Sequence, residues 1–215
     1  MLSDIEQSQV KSRAFCWNCR QPESACYCAL LKPFDPQIEF AILIHKIEAR
    51  RRIATGRMSH LLLKNSHLIE GSEFNDHPLV NALIARKDAT AMVLYPGPGS
   101  QNLTHAPIEG TSRRIVFVID GSWATARRTM RLSANLAKLP RVCFDPVRKS
   151  RFEVRKQPAD HCVSTLEAIH QTIELLGASQ GFDTSARTHD HMLDVFSSMV
   201  ARQKKYVPER ASGRA

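Results

Sequence analysis

Residues 113–123 read RRIVFVIDGSW and carry the most structural information in the chain. The unbroken apolar run over residues 115–119 predicts a strand that is buried on both faces. Asp120 ends this run with a charged side chain, and Gly121 permits a sharp turn into a helix predicted over about residues 124–131. Because ligands bind at the carboxyl ends of strands in parallel sheets, Asp120 is a candidate functional residue.

The segments on either side of this strand alternate between strand and helix patterns. Further strands are predicted at residues 38–45, 91–95 and 141–145, and helices at residues 46–64, 78–86, 164–177 and 188–205. Ser164 or Thr165 is a suitable N-cap for the helix over residues 164–177. This alternation predicts an α/β fold with a parallel sheet and helices on both faces.

Chemically versatile residues follow three of the predicted strands. They are His45, the Pro/Gly segment at residues 95–100, and residues 120–123. The sequence contains neither G-x-G-x-x-G nor G-x-x-x-x-G-K-[ST], so a Rossmann dinucleotide site or a P-loop is unsupported.

Composition favours a folded, basic protein. The chain has 215 residues, 43% of them hydrophobic, and a formal net charge of +9. Such a charge favours polyanionic partners, nucleic acid first, although a basic protein without that role has the same charge sum. We expect a cytoplasmic protein with no membrane association, because no signal-like segment opens the chain and its apolar runs are too short to span a bilayer.

Four of the six cysteines lie within thirteen residues, in the pattern C-x2-C-x6-C-x-C. They are Cys16, Cys19, Cys26 and Cys28. Four thiolates at this spacing predict a closed structural zinc site, with reactive or incidental thiols as the alternative. Trp17 beside them either displays an aromatic ring to RNA or, with Tyr27, covers the metal. Cys143 and Cys162 are expected to be small buried residues.

Several motifs in order resemble one known family. Residues 120–123, Asp-Gly-Ser-Trp, resemble the D-T-W signature of the DTW-domain proteins, the tRNA-uridine aminocarboxypropyltransferases, with Ser122 in place of the usual threonine. The four-cysteine segment, HKIEARRRIATGR (residues 45–57), LYPGPGS (residues 94–100) and RFEVRKQPADHCVSTLEA (residues 151–168) resemble further blocks of that family. The resemblance covers about residues 13 to 205.

The resemblance implies a SPOUT-like fold with a C-terminal trefoil knot that holds S-adenosylmethionine. It also implies transfer of the 3-amino-3-carboxypropyl group to N3 of a tRNA uridine, which releases methylthioadenosine. We expect an N-terminal tail and zinc module over residues 1–34, a catalytic domain over residues 35–207 and a disordered tail over residues 208–215. The chain would be a monomer or a dimer formed through the knot.

Candidate residues for this reaction fall into three groups. The catalytic candidates are Asp120, Ser122 and Trp123. The candidates for binding S-adenosylmethionine are Leu94, Tyr95, Pro96, Gly97, Asp120, Arg155, Lys156, Ser164, Thr165 and Glu167. The candidates for RNA binding are His45, Glu48, Arg50, Arg51, Arg52, Arg57, Arg127 and Arg128.

Each assignment has a simpler alternative. Asp120 is either a general base or orienting group for the uridine, or a helix cap. Trp123 either stacks on a base or fills a helix–sheet interface. His45 could be satisfied by the backbone, Glu48 could pair with a neighbouring arginine, and the arginine clusters could be solvated helix faces. The alternative functions are an rRNA-directed aminocarboxypropyltransferase, a methyltransferase of related fold and a non-catalytic zinc-containing RNA-binding protein.

Overall fold

The computed structural model describes residues 14–51, 53–152 and 162–204. A parallel sheet of six strands forms its centre, in the order β2-β1-β5-β3-β6-β4. The strands are β1 (Glu39–His45), β2 (Ser66–Gly71), β3 (Ala89–Leu94), β4 (Gln101–Asn102), β5 (Arg113–Asp120) and β6 (Arg141–Cys143). The expected α/β fold with a parallel sheet is thus confirmed.

Seven α-helices accompany the sheet in the described part of the chain. They are α1 (Lys46–Ala49), α2 (Thr55–Leu62), α3 (Pro78–Ile84), α4 (Trp123–Leu132), α5 (Ala134–Ala137), α6 (Thr165–Leu176) and α7 (His191–Lys204). Short 3-10 turns lie at Glu23–Ala25, Cys28–Leu30, Ala178–Gln180 and Thr188–Asp190.

The two faces of the sheet bury separate sets of side chains, as alternation along each strand requires. On β5, Val116 and Val118 join a core with α2, α6 and α7. Ile115 and Phe117 join the opposite core with α3, α4 and α5. Helices therefore cover both faces, which explains why residues 115–119 of β5 are apolar without interruption.

Strand register brings the carboxyl ends of the central strands together. Ile44 pairs with Asp120, and Leu94 pairs with Val118 two residues earlier in β5. On the other side of β3, Leu94 also pairs with Val142 in β6. The residues that follow these strands thus share one edge of the sheet, where the sequence placed its candidates.

Three features differ from the sequence-based expectations. Strand β2 was not predicted, because it is an edge strand whose first three residues are only half-buried. The two-residue strand β4 is too short to leave a pattern. The helix expected over residues 46–64 is two helices, and the break between them directs the N-terminus of α2 towards Asp120.

The described helices include none that is both long and apolar enough to cross a bilayer. The tail predicted over residues 208–215 lies outside the described residues.

Candidate active site

Asp120 lies at the end of β5, between the N-termini of α2 and α6. Its carboxylate is buried, with 4% of the residue exposed. The Thr165 hydroxyl donates to Oδ1 at 2.5 Å, and the Gly56 backbone N–H donates to Oδ2 at 3.3 Å. Thr165 is the first residue of α6 and Gly56 the second of α2. The carboxylate therefore joins two helix N-termini, whose dipoles favour an anion.

Gly56 is required for this close approach. A Cβ atom built at position 56 would lie 2.5 Å from Asp120 Oδ2 and 2.7 Å from Asp120 Cγ. Real Cβ atoms do not come so near, so any other residue would push the carboxylate away from α2. This close contact with Asp120 explains why a glycine lies inside α2, where glycine is otherwise unfavourable.

A cavity of about 690 Å³ lies beside this junction. Its volume falls within the range of small-molecule sites. Its wall includes the ends of β3, β5 and β6, the first turn of α4 and the start of α6. The lining residues are Leu94, Tyr95, Pro96, Val118, Ile119, Gly121, Trp123, Ala126, Arg127, Cys143, Phe144, Asp145, Pro146, Cys162, Val163, Thr165 and Ala168. Six sequence candidates are therefore brought together here: Leu94, Tyr95, Pro96, Trp123, Arg127 and Thr165. Asp120 and Gly97 are not among the lining residues.

Trp123 is fixed in the cavity wall by a hydrogen bond and a neighbouring ring. Its Nε1–H donates to the Cys162 sulfur at 3.0 Å, and its ring centroid lies 6.3 Å from that of Tyr95. Cys162 is buried as expected, but Cys143 is only half-buried because β6 ends at the cavity. The expectation for Cys143 was therefore wrong.

Ser122, rather than Asp120, caps helix α4. Its hydroxyl oxygen accepts the Thr125 backbone N–H at 3.2 Å. Ser122 thus performs the capping role that was considered for Asp120.

The start of α6 has the predicted cap. Ser164 Oγ accepts the Glu167 N–H at 3.3 Å, and Glu167 Oε2 accepts the Ser164 N–H at 2.8 Å. The Ser150 hydroxyl also donates to Glu167 Oε2, at 2.6 Å. Ser164 and Glu167 do not line the 690 Å³ cavity. Among the candidates on α6 for binding the donor, Thr165 is the one that does. The candidates Arg155 and Lys156 lie outside the described residues.

His45 and Glu48 have local partners. His45 Nδ1 accepts the Ile47 backbone N–H at 3.3 Å, and its Nε2 lies 3.3 Å from the Ser72 hydroxyl. Glu48 is buried and pairs with Arg51 at 3.1 Å. His45 is therefore hydrogen-bonded to the backbone, and Glu48 is paired with a neighbouring arginine, as the simpler alternatives predicted.

The candidate arginines separate into exposed and buried groups. Arg50, Arg51, Arg127 and Arg128 are exposed, and Arg52 lies outside the described residues. Arg57 is only 5% exposed, because α2 turns it inward. Its Nη2 donates to the Ala49 carbonyl at 2.6 Å, while its buried Nη1 has no hydrogen-bond partner among the described residues. Burial lowers the pKa of this guanidinium, and the nearby Asp120 charge partly opposes that shift.

The four N-terminal cysteines form a cluster that could hold a metal ion. Their sulfur atoms lie within 4.8 Å of one another, with Cys16–Cys28 at 3.6 Å and Cys19–Cys26 at 3.7 Å. A tetrahedral zinc site with bonds of about 2.3 Å separates its sulfurs by about 3.8 Å. Backbone N–H groups of Cys19 and Asn18 lower the pKa of the Cys16 thiol to about 6, whereas burial raises the pKa of the Cys19 and Cys28 thiols. The donor set and its spacing therefore suit zinc.

The cysteine segment is packed against the main fold. Tyr27 is 3% exposed and belongs to the same core as α7. Arg202 donates to the Cys26 carbonyl at 2.9 Å, and His191 Nε2 lies 2.7 Å from the Leu30 carbonyl oxygen. Trp17 is 88% exposed, so it does not cover the cluster. A large aromatic ring is thus exposed on a segment that packs against the main fold.

Sequence reasoning missed two contributors to this site. Gly56 could have been found as a glycine in a predicted helix, which signals a close approach. Cys162, the acceptor for Trp123, has no such signal, because its partner lies 39 residues away.

Comparisons with known proteins place this chain among similar sequences of known family. tRNA-uridine aminocarboxypropyltransferase 2 of Drosophila melanogaster is 29% identical, over 81% of this chain and 71% of that protein. Its namesake in Mus musculus is 25% identical over 81% and 60%, and tRNA-uridine aminocarboxypropyltransferase A of Arabidopsis thaliana is 24% identical over 94% and 85%. No solved structure matches significantly. The model of the DTW domain family matches residues 13–204, and the chain therefore belongs to the DTW domain family.

Proposed function

We propose that this protein is a tRNA-uridine aminocarboxypropyltransferase that uses S-adenosylmethionine as donor and N3 of a tRNA uridine as acceptor. The observation that carries the proposal is the cavity at the carboxyl edge of the sheet, which adjoins the Asp120–Thr165 contact in a chain of this family. Relatives bearing that enzyme name in an insect, a mammal and a plant support the reaction and the tRNA substrate.

The cavity wall suits the donor. Tyr95 and Trp123 offer two aromatic faces to an adenine ring, and Leu94 and Val118 offer apolar surface. The first turn of α6 offers backbone N–H groups and the positive end of the helix dipole to the carboxylate of the methionine moiety. The donor would thus lie with its amino-acid arm towards α6.

The transfer moves an electron pair but involves no redox step. Uridine N3 gives up its proton to water and forms a bond to the Cγ atom of the methionine moiety. The Cγ–sulfur bond breaks, and its electron pair neutralises the sulfonium, which leaves as methylthioadenosine. A proton acceptor and a binding site that aligns N3 with Cγ are therefore needed.

We assign Asp120 an orienting role in this reaction. Both of its oxygens accept hydrogen bonds, from Thr165 and Gly56, and it does not line the cavity. These contacts favour a carboxylate that holds the N-termini of α2 and α6 in place. They favour this role over that of a base which meets the uridine directly.

We also propose two groups of RNA contacts. Exposed Trp17 offers a stacking face to an unpaired base, and the exposed arginines offer cations to phosphates. Buried Arg57 is better placed to bind a single anion near Asp120, because its Nη1 has no hydrogen-bond partner among the described residues.

A structural zinc ion held by the four cysteines completes the proposal. Such a closed site would stabilise a segment too short to fold alone, and would leave no open position for catalysis. The SPOUT-like classification, the C-terminal knot, a knot-mediated dimer and a cytoplasmic location stay predictions.

Nucleoside mass spectrometry of tRNA from cells with and without this gene tests the function. The proposal predicts that an aminocarboxypropyl-uridine disappears with the gene and returns with a wild-type copy. A copy carrying Asp120→Asn, which keeps the volume but removes the charge, should restore much less. An unchanged tRNA profile would contradict the proposal, and a loss confined to rRNA would indicate the rRNA-directed alternative.

A further inference from the structure

A second cluster of metal-ligating side chains lies apart from the cysteines. Its members are His170 and Glu174 on α6, and His189 and Asp190 in the turn that precedes α7. One ligand atom from each lies within 4.8 Å of all the others. His170 and Glu174 are four residues apart, so a single face of α6 presents both.

His189 is the unusual member of the cluster. It is 0% exposed, and neither of its ring nitrogens makes a hydrogen bond among the described residues. Its Nε2 lies 2.8 Å from Glu174 Oε1 and 3.9 Å from Asp190 Oδ1. Nε2 therefore has a charge contact without a hydrogen bond, and Nδ1 has no hydrogen bond among the described residues, which is an exception among buried polar groups. A metal ion would give the lone pair of one nitrogen a partner.

The spacing of the four ligand atoms suits one ion. His170 Nε2 lies 2.8 Å from Asp190 Oδ1, and the two imidazole rings are 4.8 Å apart at an angle of 31°. A tetrahedral ion with bonds of about 2.1 Å holds its ligands about 3.4 Å apart. The observed separations lie on both sides of this value, so modest side-chain shifts would complete the site.

Arg187 occupies the outer side of the cluster. Its guanidinium bridges Glu174 and Asp190, with Nη2 at 2.6 Å from Asp190 Oδ1, and its side chain is 51% exposed. It neutralises the two carboxylates but makes no contact that satisfies His189. A guanidinium this exposed can turn into solvent when a metal replaces its charge.

We propose that His170, Glu174, His189 and Asp190 bind one divalent transition-metal ion of the zinc class. Two imidazoles with two carboxylates are ligands that zinc accepts in tetrahedral geometry. The ion joins α6, whose first residue contacts Asp120, to the start of α7, which carries the cysteine segment. The cluster does not line the 690 Å³ cavity; His170, Glu174 and Asp190 line a second cavity of about 570 Å³.

Metal counting by native mass spectrometry tests the site, using the full chain with its cysteine cluster already loaded with zinc. Added zinc chloride should give a second bound ion. A cobalt titration should then show this ion without the sulfur-to-metal absorption of a thiolate site. Glu174→Gln, whose parent side chain is 27% exposed, should weaken the second ion at least tenfold, as should His189→Gln.

Two further variants separate the site from adventitious binding. His105→Ala removes an exposed histidine paired with Asp145 and should keep the second ion. Arg187→Gln should tighten it, because the competing cation is gone. A single ion per chain in excess zinc would overturn the proposal. A second ion that survives Glu174→Gln and His189→Gln, or is lost in His105→Ala, would also overturn it.

Discussion

Substituting Gly56 by alanine tests the contact between α2 and Asp120 most sharply. The new Cβ would lie 2.5 Å from Asp120 Oδ2 and 2.7 Å from Cγ, while the Thr165 hydroxyl holds the other oxygen. Overpacking in a filled interior costs about 1–3 kcal/mol. Losing the Gly56 N–H bond to a charged oxygen costs about 1.5–3 kcal/mol. Alanine recovers roughly 1 kcal/mol of helix propensity, so we expect a net loss of about 1.5–5 kcal/mol in the free energy of unfolding.

Urea unfolding followed by circular dichroism measures this loss. Gly121→Ala is the matched control, because its Cβ would meet the Thr125 hydroxyl, which can rotate away. In an Asp120→Ala background the carboxyl is absent, and Gly56→Ala should cost less than about 1 kcal/mol. An equal cost in both backgrounds would refute the argument, since the penalty would then arise elsewhere in α2.

Three further predictions follow from the described contacts. Burial lowers the pKa of His60, so the unfolded chain protonates first as the pH falls below about 6.5. The unfolding free energy of the wild type should therefore fall between pH 7.5 and pH 5.5, and that of His60→Gln should fall less. Equal slopes of unfolding free energy against pH in the two proteins would contradict this. Trp123→Phe should change the Kd for S-adenosylmethionine less than threefold by calorimetry, whereas Trp123→Ala should raise it at least tenfold; equal effects would place the ring outside the donor site. Arg127→Ala with Arg128→Ala should lower the slope of log K for tRNA against log salt by about 2, and an unchanged slope would exclude both from phosphate contact.

The sequence predicted the strands that the core buries. Strand β5 sits between β1 and β3 with both faces covered, so its pattern is a continuous apolar run. Strand β2 pairs with one neighbour only, and His67 and Glu70 interrupt its apolar residues. Edge strands need less apolar sequence, which is why β2 could not be recognised from the pattern.

The candidate site was predicted in position but not in its internal contacts. The carboxyl edge of the sheet follows from Asp120 ending an apolar run, since strand direction fixes where that residue lies. The burial of Arg57 does not follow, because residues 50–57 resemble a solvated basic helix. α2 is a separate helix from α1, and it buries Arg57 with its Nη2 bonded to the Ala49 carbonyl at the end of α1.

The adenosine product released from S-adenosylmethionine in the presence of purified protein and tRNA tests the central claim most directly. Liquid chromatography with mass spectrometry distinguishes the candidate products. The proposed transfer predicts methylthioadenosine in a one-to-one ratio with modified uridine, and little of either with Asp120→Asn. Release of S-adenosylhomocysteine, or no product from protein that binds both substrates, would contradict the transfer.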